Sequence, residues 1–294
     1  LLETLESVFA QTFTDYEIIV VNDGSTDDTA ERLRPLAEAG RIRLISQPNG
    51  GIGHARNRGI DEACGKYVAL LDHDDLWRPG KLAAQVEYAE RYRECAIISV
   101  PWAFSSTFPH WAFSPDVPRS DGIIESPLRL ISAGQTLFCS SSILFNRELA
   151  ADLHYGEARQ CIEDQQFHLG LLGRGKLGVA GREVQMIYRE HEANYSSQAI
   201  YWYNGVRELR SLDHAHLFAE ARARHGRDVD RFLAFFGRTA AARQCVFGHR
   251  LHGVALFFEE LPFQMRLRRW KFILGYPVLL VLSERRRARL WRRK

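Results

Sequence analysis

The first hundred residues alternate short apolar runs with helical stretches, and this alternation constrains the fold more than any other feature of the sequence. The runs are continuously hydrophobic, which is typical of strands buried on both faces. Strands that alternate with helices form parallel α/β sheets, whose ligands bind beyond the carboxyl ends of the strands. We therefore predict an α/β fold with functional residues just after each strand. The predicted strands are 17–21, 42–46, 67–71 and 96–100, and the predicted helices are 1–11, 27–39, 54–64 and 81–93.

The rest of the chain differs from this alternating region. Residues 101–122 are rich in aromatic residues, proline and serine, and a long loop of this kind tends to be functional. Residues 123–197 show mixed short strands and helices, and the pattern is largely helical from residue 198 onward. We therefore predict a domain of residues 1–197 followed by a helical extension, residues 198–294. The candidate helices of this extension are 202–224, 228–247 and 253–270.

Charge is distributed unevenly along the chain. Residues 266–294 hold eleven Lys or Arg and one acid, a net charge of +10, so residues 1–265 carry −7 of the total of +3. Such a basic segment suggests an anionic partner, such as lipid head groups or nucleic acid. Its apolar stretch 270–282 is shorter than the roughly 18–20 residues that span a bilayer. Flanking arginines and tryptophans favour an interfacial helix on an anionic membrane, and a helix packed on the domain is the alternative.

Composition excludes several classes of protein. With 46% hydrophobic and 26% charged residues, the chain is neither disordered nor a multi-span membrane protein. Its five cysteines are odd in number, widely spaced and without a CxxC pair. They argue against a disulfide framework or a structural zinc site, so we expect a reducing compartment.

The first strand exit carries residues 20–28 (VVNDGSTDD). Asn, Asp and Gly favour a turn, and Ser25 with Asp28 has the spacing of a helix capping box. This turn chemistry does not account for Asp23. A carboxylate at the C-terminal end of a strand can accept a hydrogen bond from a nucleoside, which makes Asp23 a candidate for nucleoside binding.

Residues 49–57 (NGGIGHARN) form a glycine-rich loop that opens a helix. The loop matches neither a dinucleotide-binding GxGxxG motif nor a Walker A motif. A helix N-terminus still favours an anion, and Arg56 adds a guanidinium. The segment therefore predicts either an anion site or a purely structural loop.

Residues 70–77 (LLDHDDLW) are the strongest local signal. The carboxylates of Asp72, Asp74 and Asp75 crowd the end of a buried strand, where like charges repel. Helix capping explains one of them at most. Because Mg²⁺ or Mn²⁺ takes one or two carboxylates together with water and phosphate oxygens, the segment predicts a site for a metal and a diphosphate.

Two later segments carry further candidates. Glu163 and Asp164 begin an amphipathic helix, where acids either complement the helix dipole or serve as a general base. Arg189 and His191 lie two residues apart on a predicted strand and share one face, so both could address a diphosphate or its metal. A lone histidine is more often a core or surface residue than a ligand, and both interpretations stay open.

Taken in order, these segments resemble the family 2 glycosyltransferases. The resemblance covers roughly residues 1–197 and implies the GT-A fold, a Rossmann-like, mostly parallel sheet with flanking helices. It implies a nucleotide-sugar half over about residues 1–100 and an acceptor half over about 101–197. The family's first strand would precede Leu1, so we expect that an N-terminal element has been lost. The resemblance rests on 17–29 (EIIVVNDGSTDDT), 53–59 (GHARNRG), 71–77 (LDHDDLW), 163–164 (ED) and 188–191 (YREH).

The resemblance also implies roles for single residues. Asp164, with Glu163 beside it, would take the proton from the acceptor hydroxyl. The metal would be Mn²⁺ or Mg²⁺, and the nucleoside would be uridine. The implied nucleotide-sugar ligands are Asp23, Asn22, Arg56, Asp72 and Arg189, and the implied metal ligands are Asp74, Asp72 and His191.

The implied function is inverting, metal-dependent transfer of a sugar from a UDP-sugar to a hydroxyl of a glycan or lipid-linked cell-envelope acceptor. Residues 264–270 (QMRLRRW) depart from the QxxRW motif of processive members, so we expect a non-processive enzyme. We expect it in the cytoplasm, held at the inner face of the plasma membrane by the basic tail 264–294, without a nucleic-acid partner.

Two other functions compete with this interpretation. A nucleotidyltransferase would need a basic, glycine-rich first strand exit, whereas this exit is acidic. A sugar-nucleotide-binding module without catalysis would not need the joint presence of Asp72, Asp74, Asp164 and His191.

Overall fold

The computed structural model describes residues 1–105, 112–113, 121–156, 163–189 and 199–282. Their contacts divide the chain into two compact units. The first holds the described residues of 1–125, 136–156 and 163–189, and the second holds 126–135 and 199–282. The predicted boundary after residue 197 lies outside the described residues and stays a prediction.

Within the described residues, the first unit contains all of the strands, five α-helices and two short 3₁₀ helices, Ser140–Ser142 and Glu148–Ala150. The helices are α1 (Leu2–Phe9), α2 (Thr29–Glu38), α3 (Ile52–Glu62), α4 (Lys81–Arg91) and α6 (Glu163–Arg174). The strands are β1 (Ile19–Asp23), β2 (Arg43–Gln47), β3 (Tyr67–Ala69), β4 (Leu76–Trp77), β5 (Cys95–Ser99), β6 (Trp102–Ser105), β7 (Ala112–Phe113), β8 (Gly122–Ile124), β9 (Ile143–Asn146), β10 (Lys176–Val179) and β11 (Met186–Arg189).

The strands form three hydrogen-bonded groups, ordered β1-β2, β3-β9-β5-β10-β8 and β4-β11-β6-β7. Among the described residues, β1 with β2, β5 with β10 and β6 with β11 are parallel, and the other five pairs are antiparallel. The α/β class is confirmed, and the expected mostly parallel arrangement is corrected to a mixed one. Continuous hydrophobicity reports burial on both faces and not direction: β5 is buried throughout, yet its neighbours β9 and β10 run in opposite senses.

The core of the first unit surrounds β5, where Ile97 and Ile98 are fully buried. Phe145 of β9 meets Phe167 of α6 edge to face, with ring centroids 5.1 Å apart. Fully burying an aromatic side chain of this kind stabilises a fold by about 1.5–3 kcal/mol. This packing anchors α6, whose first turn carries Glu163 and Asp164.

The second unit is helical, as predicted for the C-terminal region. The predicted helix 202–224 is wrong in one respect, because it ends at His214 and a separate helix begins at Ala219. Among the described residues, no helix is both long and apolar enough to cross a membrane. Its helices are α5 (Pro127–Ser132), α7 (Ala199–His214), α8 (Ala219–His225), α9 (Arg227–Val246), α10 (Arg250–Arg266) and α11 (Trp270–Val281).

A buried ion pair joins α7 and α10 of the second unit and packs against α9. Glu260 of α10, 2% exposed, accepts hydrogen bonds from Arg210 of α7 at 2.8 and 2.5 Å. A Cβ at Gly237 of α9 would lie 2.2 Å from the Glu260 carboxyl carbon. The glycine therefore makes room for the carboxylate, which is buried together with its counter-charge.

Candidate active site

The acidic loop after β3 is held in place by a serine that is distant in sequence. The Asp72 backbone N–H donates to Ser141 Oγ at 3.0 Å, and the Trp77 indole donates to the Ser141 carbonyl at 2.8 Å. Ser141 is fully buried. This contact was not predictable from the sequence, because a run of three serines before a strand carries no signal of it.

Arg56 of α3 bridges two of the predicted functional segments. Its Nη2 donates to both carboxylate oxygens of Asp72, at 2.9 and 3.1 Å, and its Nη1 donates to Glu163 Oε1 at 3.1 Å. Burial opposes its charge, but Asp72 and the other acidic neighbours outweigh burial and raise the pKa of Arg56. The structure thus places Arg56 and Asp72, predicted for the donor side, next to Glu163, predicted for proton transfer.

The two acids that begin α6 lie in different environments. Glu163 has a side chain only 8% exposed, and burial, together with the charge of Asp164, raises its pKa to about 7 against the influence of Arg56. The Asp164 side chain is 24% exposed, and its Oδ1 accepts a hydrogen bond from Gln165 Nε2 at 2.9 Å. Asp164 is therefore the more accessible of the two, as a base that meets a substrate must be.

Asp75 lies deeper than the other acids of its loop. It is 1% exposed, and burial with the charge of Asp72 raises its pKa to about 8. Its Oδ1 accepts the backbone N–H of Arg189 at 3.1 Å. Asp75 therefore ties the loop to β11.

Arg189 also contacts this loop. Its Nε donates to the Asp74 carbonyl, and its Nη1 pairs with Glu3 Oε2 at 2.6 Å. Arg189 thus holds the backbone of a predicted metal ligand. His191, the other residue predicted on this strand, lies outside the described residues.

At the first strand exit, Asp23 binds the glycine-rich loop. Its carboxylate accepts N–H groups of Gly50 and Gly51 at 2.9 and 2.8 Å, and Gln47 Nε2 at 2.8 Å. Burial favours a higher pKa for Asp23, but these hydrogen bonds outweigh it and lower the pKa. Gly51 has φ 95°, a conformation that favours glycine, directly before α3. Asp23 therefore positions the loop that leads to Arg56.

The neighbouring turn is closed by Asn22, whose Oδ1 accepts the backbone N–H of Ser25 at 3.0 Å. The predicted capping box of Ser25 and Asp28 is wrong. Asp28 makes no side-chain cap, and the Thr29 N–H donates instead to Asp27 Oδ1 at 3.1 Å.

A buried aromatic side chain supports Arg56. The Arg56 guanidinium lies 5.2 Å from the ring centroid of Tyr155, which stacks on Phe167 at 4.3 Å. Asn57 exchanges two hydrogen bonds with the Tyr155 backbone, at 3.1 and 2.8 Å. This support leaves no local pattern in the sequence, since Asn57 and Tyr155 are 98 residues apart.

The acidic loop fits a divalent cation through its donor chemistry. Within the part of the chain that the structure describes, no three His, Cys, Asp or Glu side chains converge as a metal site. Mg²⁺ is commonly bound by one or two carboxylates plus substrate phosphates, so a three-residue cluster is not required. Asp72 and Asp74, both partly exposed, offer such a pair.

Solved structures resemble this chain over most of its length. Staphylococcus aureus TarS 1–349 has a TM-score of 0.60 and 18% identity, over 90% of this chain and 87% of that one. The complex of that protein with UDP-GlcNAc gives a TM-score of 0.58 at 18% identity, with the same coverage. These structures confirm the expected GT-A fold.

Curated relatives match shorter segments. The uncharacterized glycosyltransferase YibD of Escherichia coli K12 is 40% identical over 126 residues, 42% of this chain and 37% of YibD. The succinoglycan biosynthesis protein ExoW of Rhizobium meliloti is 44% identical over 136 residues, 44% of this chain and 42% of ExoW. Bacillus subtilis EpsJ, an uncharacterized glycosyltransferase, is 30% identical over 197 residues, 64% of this chain and 57% of EpsJ. The aligned segments thus cover less than two thirds of these relatives.

A family model adds to these comparisons. The model for glycosyl transferase family 2 matches residues 1–153, more than half of the chain and the part that contains Asp23, Arg56, Asp72 and Ser141. The chain belongs to glycosyltransferase family 2.

Proposed function

We propose that this protein transfers a sugar from a UDP-sugar to a hydroxyl of a glycan or lipid-linked cell-envelope acceptor, with inversion and without processivity. The observation that carries the proposal is the Arg56 bridge, which connects Asp72 of the acidic loop to Glu163 beside Asp164. Family membership supports the reaction class. The UDP-GlcNAc complex of TarS supports a UDP-sugar as the donor.

On the donor side, Asp23 and Asn22 would shape the nucleoside pocket through the loop and turn they hold, and Asp72 would face the ribose. Arg56 and Arg189 would add positive charge near the diphosphate, which guanidinium groups suit. Asp74 and Asp72, with His191, would hold Mn²⁺ or Mg²⁺, which supplies neutralisation of the leaving diphosphate when bound.

On the acceptor side, Asp164 takes the proton from the attacking hydroxyl. The hydroxyl oxygen forms a bond to the anomeric carbon as the bond from that carbon to the diphosphate oxygen breaks, and a single displacement inverts the centre. Glu163, held by Arg56, shapes the electrostatic environment of Asp164. One catalytic carboxylate is sufficient for this reaction.

We also propose an anionic membrane surface at the inner face of the plasma membrane as a partner of the C-terminal tail. Exposed apolar side chains recur at helical spacing on α10 and α11, and the sequence of residues 264–294 is rich in arginine and lysine. Each basic residue near an anionic surface contributes about 1 kcal/mol to binding. The exposed apolar side chains are Leu251, Phe258 and Met265 on α10 and Trp270, Leu274 and Val278 on α11.

The reaction is tested by release of nucleoside diphosphate from UDP-, GDP- and dTDP-sugars with Mn²⁺ or Mg²⁺. We expect turnover with a UDP-sugar, and Asp164→Asn should leave UDP binding intact while reducing turnover at least a hundredfold, within the range of general-base effects. Asp61→Asn, at an exposed acid of α3, is the matched control and should change neither. Full turnover in Asp164→Asn would refute the assignment of the base.

A further inference from the structure

His168 of α6 is buried one helical turn after Asp164 and has no role in the proposed reaction. It is 1% exposed, and within the described residues neither ring nitrogen has a hydrogen-bond partner. Phe138, Tyr155 and Phe167 enclose the ring edge to face, with centroids 4.9, 6.1 and 6.2 Å away. Buried polar atoms are usually paired, so an imidazole in an aromatic enclosure calls for an explanation.

The nearest charged partner of the ring is the candidate base. His168 Nδ1 lies 3.9 Å from Asp164 Oδ2, about 1 Å beyond hydrogen-bond distance. Burial lowers the pKa of His168 to about 4, so the ring is neutral at physiological pH and carries one N–H. The enclosure restricts where that N–H can point.

We propose that His168 is a positioning residue for Asp164: a small rotation of the carboxylate brings Oδ2 within hydrogen-bond distance of the Nδ1–H, and the hydrogen bond then orients the carboxylate towards the acceptor. The inference rests on the proposed function, in which Asp164 is the base. A neutral donor stabilises the charged carboxylate without adding a cation that would neutralise it. A phenyl ring would fill the same aromatic enclosure, so packing alone does not require an imidazole.

The charges around Asp164 explain why a donor is useful there. Glu163 is adjacent on α6, and Asp72 lies on the other side of Arg56, so two acids disfavour a further negative charge. Arg56 is the opposing cation from α3, and Tyr155 faces the ring as a neutral phenol. Since Arg56 is already shared between Asp72 and Glu163, His168 supplies a donor that those acids do not use.

The test compares variants by the pH profile of UDP release from the best UDP-sugar of the donor panel. His168→Phe keeps the aromatic volume and removes the N–H. The apparent pKa of the acidic limb of the kcat profile should therefore increase by about one unit, while KM for the donor stays unchanged. His168→Asn places an amide N–H near the Nδ1 position and should restore the limb. If His168→Phe keeps the wild-type limb, or if both variants shift it equally, the proposal is overturned.

A measurement on the unmodified chain covers the case in which a variant does not fold. ¹⁵N NMR of the His168 ring should show the Nδ1–H tautomer, and an Nε2–H tautomer would overturn the proposal. Asp164→Asn distinguishes the proposal that Asp164 is the base from the proposal that His168 positions it. If it retains turnover, the proposed base is wrong; if it abolishes turnover while His168→Phe keeps the wild-type limb, only the role of His168 is wrong.

Discussion

Replacing Arg56 with methionine tests the central ion-pair network. The guanidinium is 11% exposed and serves Glu163, 8% exposed, and Asp72, 30% exposed. Methionine keeps an unbranched apolar chain but leaves both carboxylates without their shared partner. Removing one member of a buried pair typically costs about 3–5 kcal/mol of unfolding free energy, much of it from the charge left behind.

The loss of unfolding free energy in Arg56→Met should depend on pH, because Glu163 becomes neutral when it binds a proton and then no longer needs a cationic partner. Its folded-state pKa of about 7 exceeds the ordinary value of 4.5, so the folded protein binds more protons than the unfolded chain between these values. Stability therefore falls as pH rises through that window. Without Arg56 the folded-state pKa rises further. We expect a loss of about 3–5 kcal/mol at pH 8.5 and about 1–2 kcal/mol at pH 5.5, where mainly the partly exposed Asp72 pair is lost.

Urea unfolding at the two pH values measures these losses, alone and in a Glu163→Gln background. In that background the pH dependence of the Arg56→Met loss should largely disappear, since no carboxylate remains at position 163 to titrate. Arg58→Met removes an exposed arginine of the same helix, paired with Glu62, and should change stability by less than about 0.5 kcal/mol. Equal losses at both pH values and in both backgrounds would refute the reasoning.

Three further changes test other parts of the molecule. Ser141→Ala removes the acceptor of the Asp72 N–H, so it should lower the free energy of unfolding by about 1–2 kcal/mol and weaken UDP binding in calorimetry. Unchanged UDP affinity would show that this contact does not shape the donor site. Gly237→Ala should destabilise the chain by about 1–3 kcal/mol in thermal unfolding, because its Cβ would overlap the Glu260 carboxylate, and a wild-type Tm would contradict the packing. Leu274→Gln should weaken flotation with anionic vesicles roughly tenfold, whereas Leu217→Gln, at another exposed leucine, should leave flotation unchanged. Equal flotation of the two variants would argue against an apolar membrane contact on α11.

Local sequence patterns predicted much of the first unit. Strands and helices of the first hundred residues occur within a few residues of their predicted positions, because burial and amphipathic periodicity are local signals. The antiparallel insertion of β9 between β3 and β5 was not predictable in this way. It depends on pairing of residue 145 with residues 68 and 97, and no local pattern reports strand direction.

In the candidate site, too, the sequence indicated which residues are functional and not which residues they contact. Acidic residues after strands indicated where chemistry would occur, since clustered carboxylates at a strand end are unfavourable without a function. Their contacts depend on side chains far along the chain: Arg56 meets Glu163 across 107 residues, and Ser141 meets Asp72 across 69. Neither contact leaves a spacing signal, so a single sequence could not predict them.

Asp23 shows how a correct site prediction can still leave a residue's role incomplete. Three N–H donors of the protein already bind its two carboxylate oxygens, which together offer about four acceptor positions. A nucleoside that also bonded Asp23 would use the remaining position while the glycine-rich loop kept the others. Removing this carboxylate would therefore disturb the loop that leads to Arg56 as well as any nucleoside contact. A variant of Gln47 removes one hydrogen-bond donor and leaves the Asp23 carboxylate in place. Such a variant separates loop positioning from nucleoside binding more cleanly than a variant of Asp23 does.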